Sequence, residues 1–343
     1  MSASGVMRVA LIGCGAIAES FHLPALAPRH GRSVSVVLVD PSRERRERLA
    51  TRFKIPDTAP SHEDVIGDVE AAIVATPHHL HMPIGRSLLE RGIAVLSEKP
   101  LATSVSEIEQ LNRAAKQGGA VLAVNQTRRF IPACQEIRGR LEVGELGTIR
   151  RVQMDEGDRF GWPSASPAMF GARSGGKGVL LDIGVHALDL AHWWLGGEFE
   201  LTSYQDDSFG GSEAATCAVF ERAETQVELN LRWLAKRANE YTIEGERGTI
   251  SWSVYDLDRI TVSSKEDGAP RVIRIPGAPA SFDGLADRVL DDFISAVRTG
   301  NAPSVGPLDV LPPMRLIEAC YAHRETFTMP WHSFDLPLKA RTP

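Results

Sequence analysis

The chain has 343 residues, 43% hydrophobic and 24% charged, with a formal net charge of −6. That is an ordinary globular composition, long enough for two domains, and it leaves no basic face for nucleic acid or an anionic membrane. Cys14, Cys134, Cys217 and Cys320 lie far apart with no CxxC spacing, which excludes a disulfide framework and a zinc finger and fits a reducing compartment.

Short apolar runs at residues 6–12, 33–39, 71–75, 94–97 and 121–124 alternate with helix-period segments at 16–28, 43–53, 81–91 and 104–116. Strands buried on both faces read as such continuous runs, so the rhythm predicts an α/β doubly wound parallel sheet. The run at 6–12 is too short for a signal peptide and leads into a glycine turn; no segment reaches the roughly 18 apolar residues of a membrane span. A cytoplasmic setting is expected. Arg43, Arg45, Arg46 and Arg48 are interrupted by Glu44 and Glu47 and read as a solvated helix face.

After Asn125 the rhythm changes. A helix is expected at 132–141, a strand at 148–154, a Gly/Ser/Pro-rich loop at 156–178 and a helix at 182–195. Alternating strands at 214–220, 226–233, 239–244, 249–255 and 259–263 argue for an antiparallel meander, and helices at 282–298 and 312–326 close the chain. The expected division is residues 1–125, a dinucleotide-binding domain, and 126–343, a substrate-binding domain with a large, open-faced, mostly antiparallel sheet.

The first turn reads Gly13-Cys14-Gly15-Ala16-Ile17-Ala18 directly after a strand. Gly13 permits the tight turn, Gly15 lets backbone approach a pyrophosphate, and Ala18 allows close helix–strand packing; the phosphates sit on the N–H groups that open the helix. The second strand ends in Asp40, placed to accept hydrogen bonds from the adenine ribose. It would repel a 2′-phosphate and so favours NAD; Arg43, three residues on, would instead meet that phosphate and admit NADP.

Thr76-Pro77-His78-His79-Leu80-His81 follows the third strand and Glu98-Lys99-Pro100 ends the fourth. Ligands of open parallel sheets sit beyond the carboxyl ends of the strands, which places both segments at the cofactor cleft. Further on, Asp182, His186 and Asp189 share a helix face at spacings of four and three. His78 and His81 lack the Cys, Asp or Glu partners of a metal site, and no metal is expected.

The GCGAIA turn, the SEKPLA segment and the GGKGVLLDIGVHALDL stretch, in this order and at these separations, resemble the Gfo/Idh/MocA oxidoreductases, with residues 241–250 looking like that family's sheet hairpin and 317–322 like its final helix. The resemblance implies a nicotinamide-dependent oxidation of a secondary alcohol of a sugar, sugar derivative or cyclitol, or the reverse reduction. It implies that His186 takes the proton, a task its ordinary pKa suits, while Asp182 orients the imidazole or binds a neighbouring hydroxyl. Lys99 stabilises charge on the reacting oxygen, and Glu98 positions the strand end or cofactor. The chain departs from the usual pattern at His78, near the nicotinamide ribose, and at Asn125 and Thr127 before Arg128 and Arg129, which face the cleft or form an interdomain salt bridge. His22 reads as packing or cofactor support.

The loop before Asp182 overhangs the pocket and offers Asp158, Arg159, Trp162, Phe170 and Arg173. Trp162 either stacks on the C–H face of a polyhydroxylated ring or anchors the loop; Arg173 is a candidate for an anionic substituent. Two other readings share the fold: a glycosidase that retains its NAD, and a non-catalytic dinucleotide-binding sensor, against which the presence together of Lys99, Asp182 and His186 argues. The open sheet face, if apolar, would be an interface, and the resemblance implies a homodimer or homotetramer through it.

Overall fold

The computed structural model describes residues 5–328 apart from 160, 162, 164–176, 209–210 and 267. Strands β1 (Met7–Ile12), β2 (Val34–Val39), β3 (Thr58–Ala59), β4 (Ala71–Val74), β5 (Ala94–Glu98) and β6 (Leu122–Asn125) form one sheet in the order β3-β2-β1-β4-β5-β6, every pair parallel. Nearly every position of β1, β2, β4 and β5 is buried, because helices cover both faces of the sheet. Five of these strands are those expected from the apolar runs. The edge strand β3 is an addition; two residues paired with Leu38 and Val39 leave no periodicity to read.

The crossovers are helical. The first opens at residue 16, widens into a π-helical turn at Ala18–His22 and continues as α1 (Leu23–Leu26). Then come α2 (Arg43–Phe53), α3 (His81–Leu89) and α4 (Val105–Gly118). Ser42 and Ser104 cap α2 and α4, each hydroxyl accepting the N–H of the residue three ahead, which satisfies one of the donors a helix start leaves open.

Past α5 (Pro132–Glu142), β7 (Ile149–Gly157) begins the second sheet, and a π-helical turn at Leu180–Gly184 leads into α6 (Val185–Leu195). Then follow β8 (Glu200–Asp206), β9 (Ala215–Arg222), β10 (Thr225–Arg232), β11 (Glu240–Gly245), β12 (Gly248–Ser253), β13 (Arg259–Ser264), β14 (Arg271–Arg274), α7 (Asp283–Thr299), α8 (Leu311–Ala322) and β15 (Glu325–Thr326). The nine strands run β14-β13-β12-β11-β7-β10-β9-β8-β15. The expected meander is therefore two antiparallel runs joined through β7, which lies parallel to β10 and antiparallel to β11. A parallel pair needs a long crossover, and α6 supplies it.

One face of this sheet carries Met154, Leu229, Tyr241 and Trp252, all buried, beneath α5, α6 and α8; Trp194 of α6 meets Trp252 edge to face at 6.3 Å. The other face is open, as expected, but it is polar rather than apolar: Gln226, Glu228, Asn230 and Arg232 of β10 stand beside Arg151, Gln153 and Asp155 of β7. The late elements return to the first sheet. Helix α7 packs on α1, where Arg29 pairs with Asp291 at 2.9 Å, and α8 packs on α4, where Glu318 accepts the Val105 N–H at 2.9 Å.

Candidate active site

The site is built along one edge of the parallel sheet. Gly13, Asp40, Thr76, Glu98 and Asn125 all stand at or just past the carboxyl ends of their strands, the edge where open α/β sheets bind ligands. Gly13 has φ +100°, and a Cβ there would lie 2.5 Å from the Ala75 carbonyl oxygen, so only glycine fits. A Cβ on Gly15 meets nothing within 4 Å; space lies outside the turn, where the first N–H groups of the helix opened by Ala16 and Ile17 are available to phosphate. Thr76 Oγ1 is buried without a hydrogen-bond partner among the described residues. The cradle and the unmet hydroxyl fit a dinucleotide.

Asp40 is part of that cradle. It is 6% exposed; Oδ2 accepts the Cys14 N–H at 2.9 Å and Oδ1 the Ser42 N–H at 2.8 Å. Arg45 Nε lies 3.2 Å from Oδ1. Arg43, expected to compete for a 2′-phosphate, turns outward to Glu47 at 2.6 Å, so the guanidinium groups at this corner are those of Arg45 and of Arg46, whose Nη1 donates to the Asp40 backbone oxygen.

Past Pro77, residues His78–Leu80 make a single 3-10 turn. His81 is 1% exposed, and its two ring nitrogens lie 2.8 Å from the carbonyl oxygens of Pro100 and Thr76. It staples the turn after β4 to the turn after β5. His78 sits edge-on to His81, centroids 5.7 Å apart, and burial, with the charges of His81 and Lys99, lowers its imidazole to about 3. Glu98 fixes the end of β5: Oε1 meets His22 Nε2 and Asn125 Nδ2, both at 2.7 Å, and Oε2 accepts the Lys99 N–H at 3.2 Å. Asn125 in turn accepts from Thr127 Oγ1 at 2.8 Å. Asn125 and Thr127, two of the three residues that depart from the usual pattern, thus belong to one buried chain that reaches back to His22.

Lys99 Nζ donates to both Oδ1 and the backbone oxygen of Asp182, each at 2.9 Å. Trp233 Nε1 donates to Asp182 Oδ2 at 3.3 Å. Burial pushes the Asp182 carboxyl up, but the charge and hydrogen bond of Lys99 outweigh it and hold the group below the usual carboxylate range. His186 does not bond Asp182; its Nδ1 lies 3.2 Å from Gln126 Oε1. Burial, then the charges of Lys99 and Arg128, push its imidazole well below the ordinary value. Asp189 is drawn away from this group into a buried bidentate pair with Arg129, both contacts at 2.8 Å.

Arg128 is committed as well. It grips Glu156 through Nη1 at 2.9 Å and Nη2 at 2.6 Å and bonds Tyr241 Oη at 2.7 Å. Both arginines past β6 therefore form salt bridges rather than offering a free guanidinium. Trp162, Phe170 and Arg173 lie outside the described residues. The helix that carries Asp182 is anchored by Glu213, fully buried, whose Oε1 accepts the Gly178 and Leu180 N–H groups at 2.9 and 3.0 Å and the Tyr321 hydroxyl at 2.8 Å. Gln126, Trp233 and Glu213 were missed by the sequence reading; only Gln126 adjoins a motif.

A family model described as "Oxidoreductase family, NAD-binding Rossmann fold" matches residues 7–126, and one described as "Oxidoreductase family, C-terminal alpha/beta domain" matches residues 138–330. The chain belongs to the Gfo/Idh/MocA oxidoreductase family. Its relatives include scyllo-inositol 2-dehydrogenase (NAD(+)) of Bacillus subtilis (strain 168), 25% identical over 318 residues that cover 88% of this chain and 90% of that protein. Myo-inositol dehydrogenase Hyg17 of Streptomyces leeuwenhoekii is 29% identical over 227 residues, 65% of this chain and 66% of that protein, just under two thirds of its length. Among solved structures, KijD10, a 3-ketoreductase from Actinomadura kijaniata in complex with NADP and TDP-benzene, has a TM-score of 0.82 at 23% identity, covering 95% of this chain and 100% of that one. A levoglucosan dehydrogenase in complex with NADH and levoglucosan has a TM-score of 0.79 at 20% identity, covering 92% and 98%. These two structures share the fold. As a Gfo/Idh/MocA member the chain is an NAD(P)-dependent dehydrogenase or reductase acting on CH–OH groups, in a family of sugar and cyclitol oxidoreductases.

Proposed function

We propose that this chain interconverts a secondary alcohol and a ketone on a sugar, sugar derivative or cyclitol. Residues 1–125 hold NAD or NADP and residues 126–343 hold the substrate. Gly13, Gly15, Ala16 and Ile17 cradle the phosphates, Asp40 meets the ribose, and Thr76 Oγ1 offers a free polar group. When bound, the nicotinamide supplies the hydride acceptor or donor. Lys99 carries its charge to the reacting oxygen and disperses the negative charge that develops there. Asp182 holds the ammonium at that place by pairing with it. His186, kept neutral by its surroundings, accepts the hydroxyl proton in the oxidative direction and returns it in the reductive one.

The observation that carries this reading is the Lys99–Asp182 pair, 2.9 Å between Nζ and Oδ1, standing at the end of β5 beside a neutral His186. The same reading includes a homodimer or homotetramer through the open face of the nine-stranded sheet, as the family resemblance implies. It also includes a cytoplasmic setting, in keeping with four free cysteines.

The test is turnover of NAD⁺ and NADP⁺ against a panel of cyclitols, aldoses, uronates and amino sugars, read by absorbance of the reduced nicotinamide, with Lys99→Ala alongside. Turnover that Lys99→Ala removes establishes the reaction class. Cofactor binding without turnover on any member, together with cleavage of an aryl glycoside, overturns it.

A further inference from the structure

Gln126 stands one residue past β6 with its backbone tied on both sides: its N–H donates to Val124 O at 2.9 Å and its carbonyl accepts from Arg129 N at 3.0 Å. Its side chain is thereby aimed from a fixed point, and the residue is 1% exposed. Oε1 lies 3.2 Å from His186 Nδ1. Nε2 is buried and has no hydrogen-bond partner among the described residues. The contact this side chain makes is the one from its oxygen to the imidazole.

A carboxamide oxygen only accepts hydrogen bonds, so the ring nitrogen facing it carries the proton. We propose that Gln126 is a positioning residue that selects the Nδ1–H tautomer of His186 and so leaves Nε2 with its lone pair as the base. This rests on the reading of His186 as the proton acceptor. Asp182, one turn earlier on the same helical segment, does not do this work, because Lys99 and Trp233 take its two carboxylate oxygens.

A neutral amide suits the site electrostatically. Among the described residues, the charges that act on His186 are those of Lys99 from the end of β5 and Arg128 from the turn at Thr127–Phe130, both cations. They disfavour an imidazolium, as burial does. A carboxylate in place of the amide would fix the same tautomer but favour the imidazolium and raise the pKa of the base. Gln126 sets the tautomer without adding charge, so His186 stays unprotonated across the neutral range.

The test is ¹⁵N NMR of the full chain labelled at histidine, with His186 assigned from the His186→Asn variant, beside pH profiles of kcat/KM. In the wild type the expected result is a protonated Nδ1 and an unprotonated Nε2 on His186. Gln126→Leu should shift the ring toward the other tautomer and lower kcat by about 10- to 100-fold, less than loss of the base itself, with KM changed by no more than about threefold. Gln126→Glu should keep the wild-type tautomer and move the acid limb of the profile up by about one pH unit. Should Gln126→Leu fail to fold, the wild-type tautomer and the Gln126→Glu limb decide. A wild-type Nε2–H tautomer, or a Gln126→Leu variant with unchanged tautomer and kcat, overturns the proposal. The His186→Asn variant separates the two ideas: if it keeps full turnover, the assignment of the base fails, whatever tautomer Gln126 selects.

Discussion

Lys99 and Asp182, 83 positions apart in the chain, meet through two contacts of the same ammonium, one to a carboxylate oxygen and one to the backbone oxygen, both at 2.9 Å. The pair joins the end of a parallel strand to a helix of the second sheet, and its side chains are only 18% and 19% exposed. Removing one member leaves a mostly buried charge without its partner. Lys99→Met should therefore lose turnover by at least about 100-fold and unfold at a lower temperature, with a stability loss of a few kcal/mol, about 3 as an upper range for a partly screened pair. The sign of the pH dependence follows from the lowered Asp182 carboxyl. The pair's contribution is fully present above the ordinary carboxylate pKa of about 3.9 and is lost as pH falls through the lower folded value. The difference between Lys99→Met and wild type in thermal melts should shrink below about pH 4; a constant difference down to pH 2 would exclude the pair as its source.

Gly13 and Gly15 are two positions apart and make opposite demands. A Cβ on Gly13 strikes the Ala75 carbonyl at 2.5 Å and sits on a backbone with φ +100°, whereas a Cβ on Gly15 enters open space. Gly13→Ala should cost stability, about 2 kcal/mol or more from strain and clash together. Gly15→Ala should leave the melting temperature within about 2 °C of wild type and still weaken dinucleotide binding by about tenfold, roughly 1.4 kcal/mol. Melting curves and calorimetric titration with NADH check both. Equal affinity in Gly15→Ala and wild type would place the phosphates elsewhere.

How much of this was legible in the sequence depended on how far apart the partners lie. The phosphate turn and Asp40 announce themselves because a strand, two glycines and an acid at fixed offsets are local chemistry. The five long strands of the first sheet show as continuous apolar runs, while β3, with two residues, shows nothing. His81 was visible as a residue at the cleft, but one of the two carbonyls that hold it, that of Pro100, comes from the turn after the next strand, 19 positions on, so its work as a staple was not readable. The same limit hid Gln126 beneath His186, 60 positions away, and Trp233 beside Asp182. Helical spacing grouped Asp182, His186 and Asp189. The fold gives each a different partner from another element, Lys99 for Asp182, Gln126 for His186 and Arg129 for Asp189.

His78 and His186 are both held neutral, His78 lowered to about 3 by burial and by the charges of His81 and Lys99, and His186 lowered well below its ordinary value by burial and the charges of Lys99 and Arg128. In the unfolded chain each takes a proton near pH 6.5, an order-of-magnitude reference of about 6.5 for histidine. Between the two values the unfolded state binds more protons, so folding stability falls as pH drops below about 6.5. His78→Asn should flatten that decline by about one proton's worth of slope between about pH 6 and 4, measured by denaturant unfolding at each pH. An unchanged slope would mean that His78 takes its proton in the folded protein.

Arg128 and Glu156 are a structural pair, each side chain 12% exposed, joined by contacts of 2.6 and 2.9 Å and capped by Tyr241. Arg128→Met alone should destabilise the fold by about 3–5 kcal/mol, while the Arg128→Met/Glu156→Leu double variant should recover most of that loss. With the fold restored, KM for the preferred substrate should stay within about threefold of wild type, roughly 0.65 kcal/mol. A double variant that is stable but loses substrate affinity by a hundredfold would return Arg128 to the list of substrate ligands.

Cofactor choice turns on the corner where Arg45 and Arg46, rather than Arg43, approach Asp40. Arg45 Nε lies 3.2 Å from Asp40 Oδ1, while Arg43 is taken up by Glu47 at 2.6 Å. The Asp40 carboxylate disfavours a 2′-phosphate, and the neighbouring guanidinium offsets that repulsion in part. Arg45→Ala should reduce kcat/KM for NADP⁺ by about tenfold or more, roughly 1.4 kcal/mol, and leave that for NAD⁺ within about twofold. Arg43→Ala should change neither. Asp40→Ser should raise the preference for NADP⁺, at the expense of a looser turn, since the carboxylate also accepts the Cys14 and Ser42 N–H groups. A shift in cofactor preference caused by Arg43→Ala and not by Arg45→Ala would show that Arg43 leaves Glu47 when a dinucleotide binds.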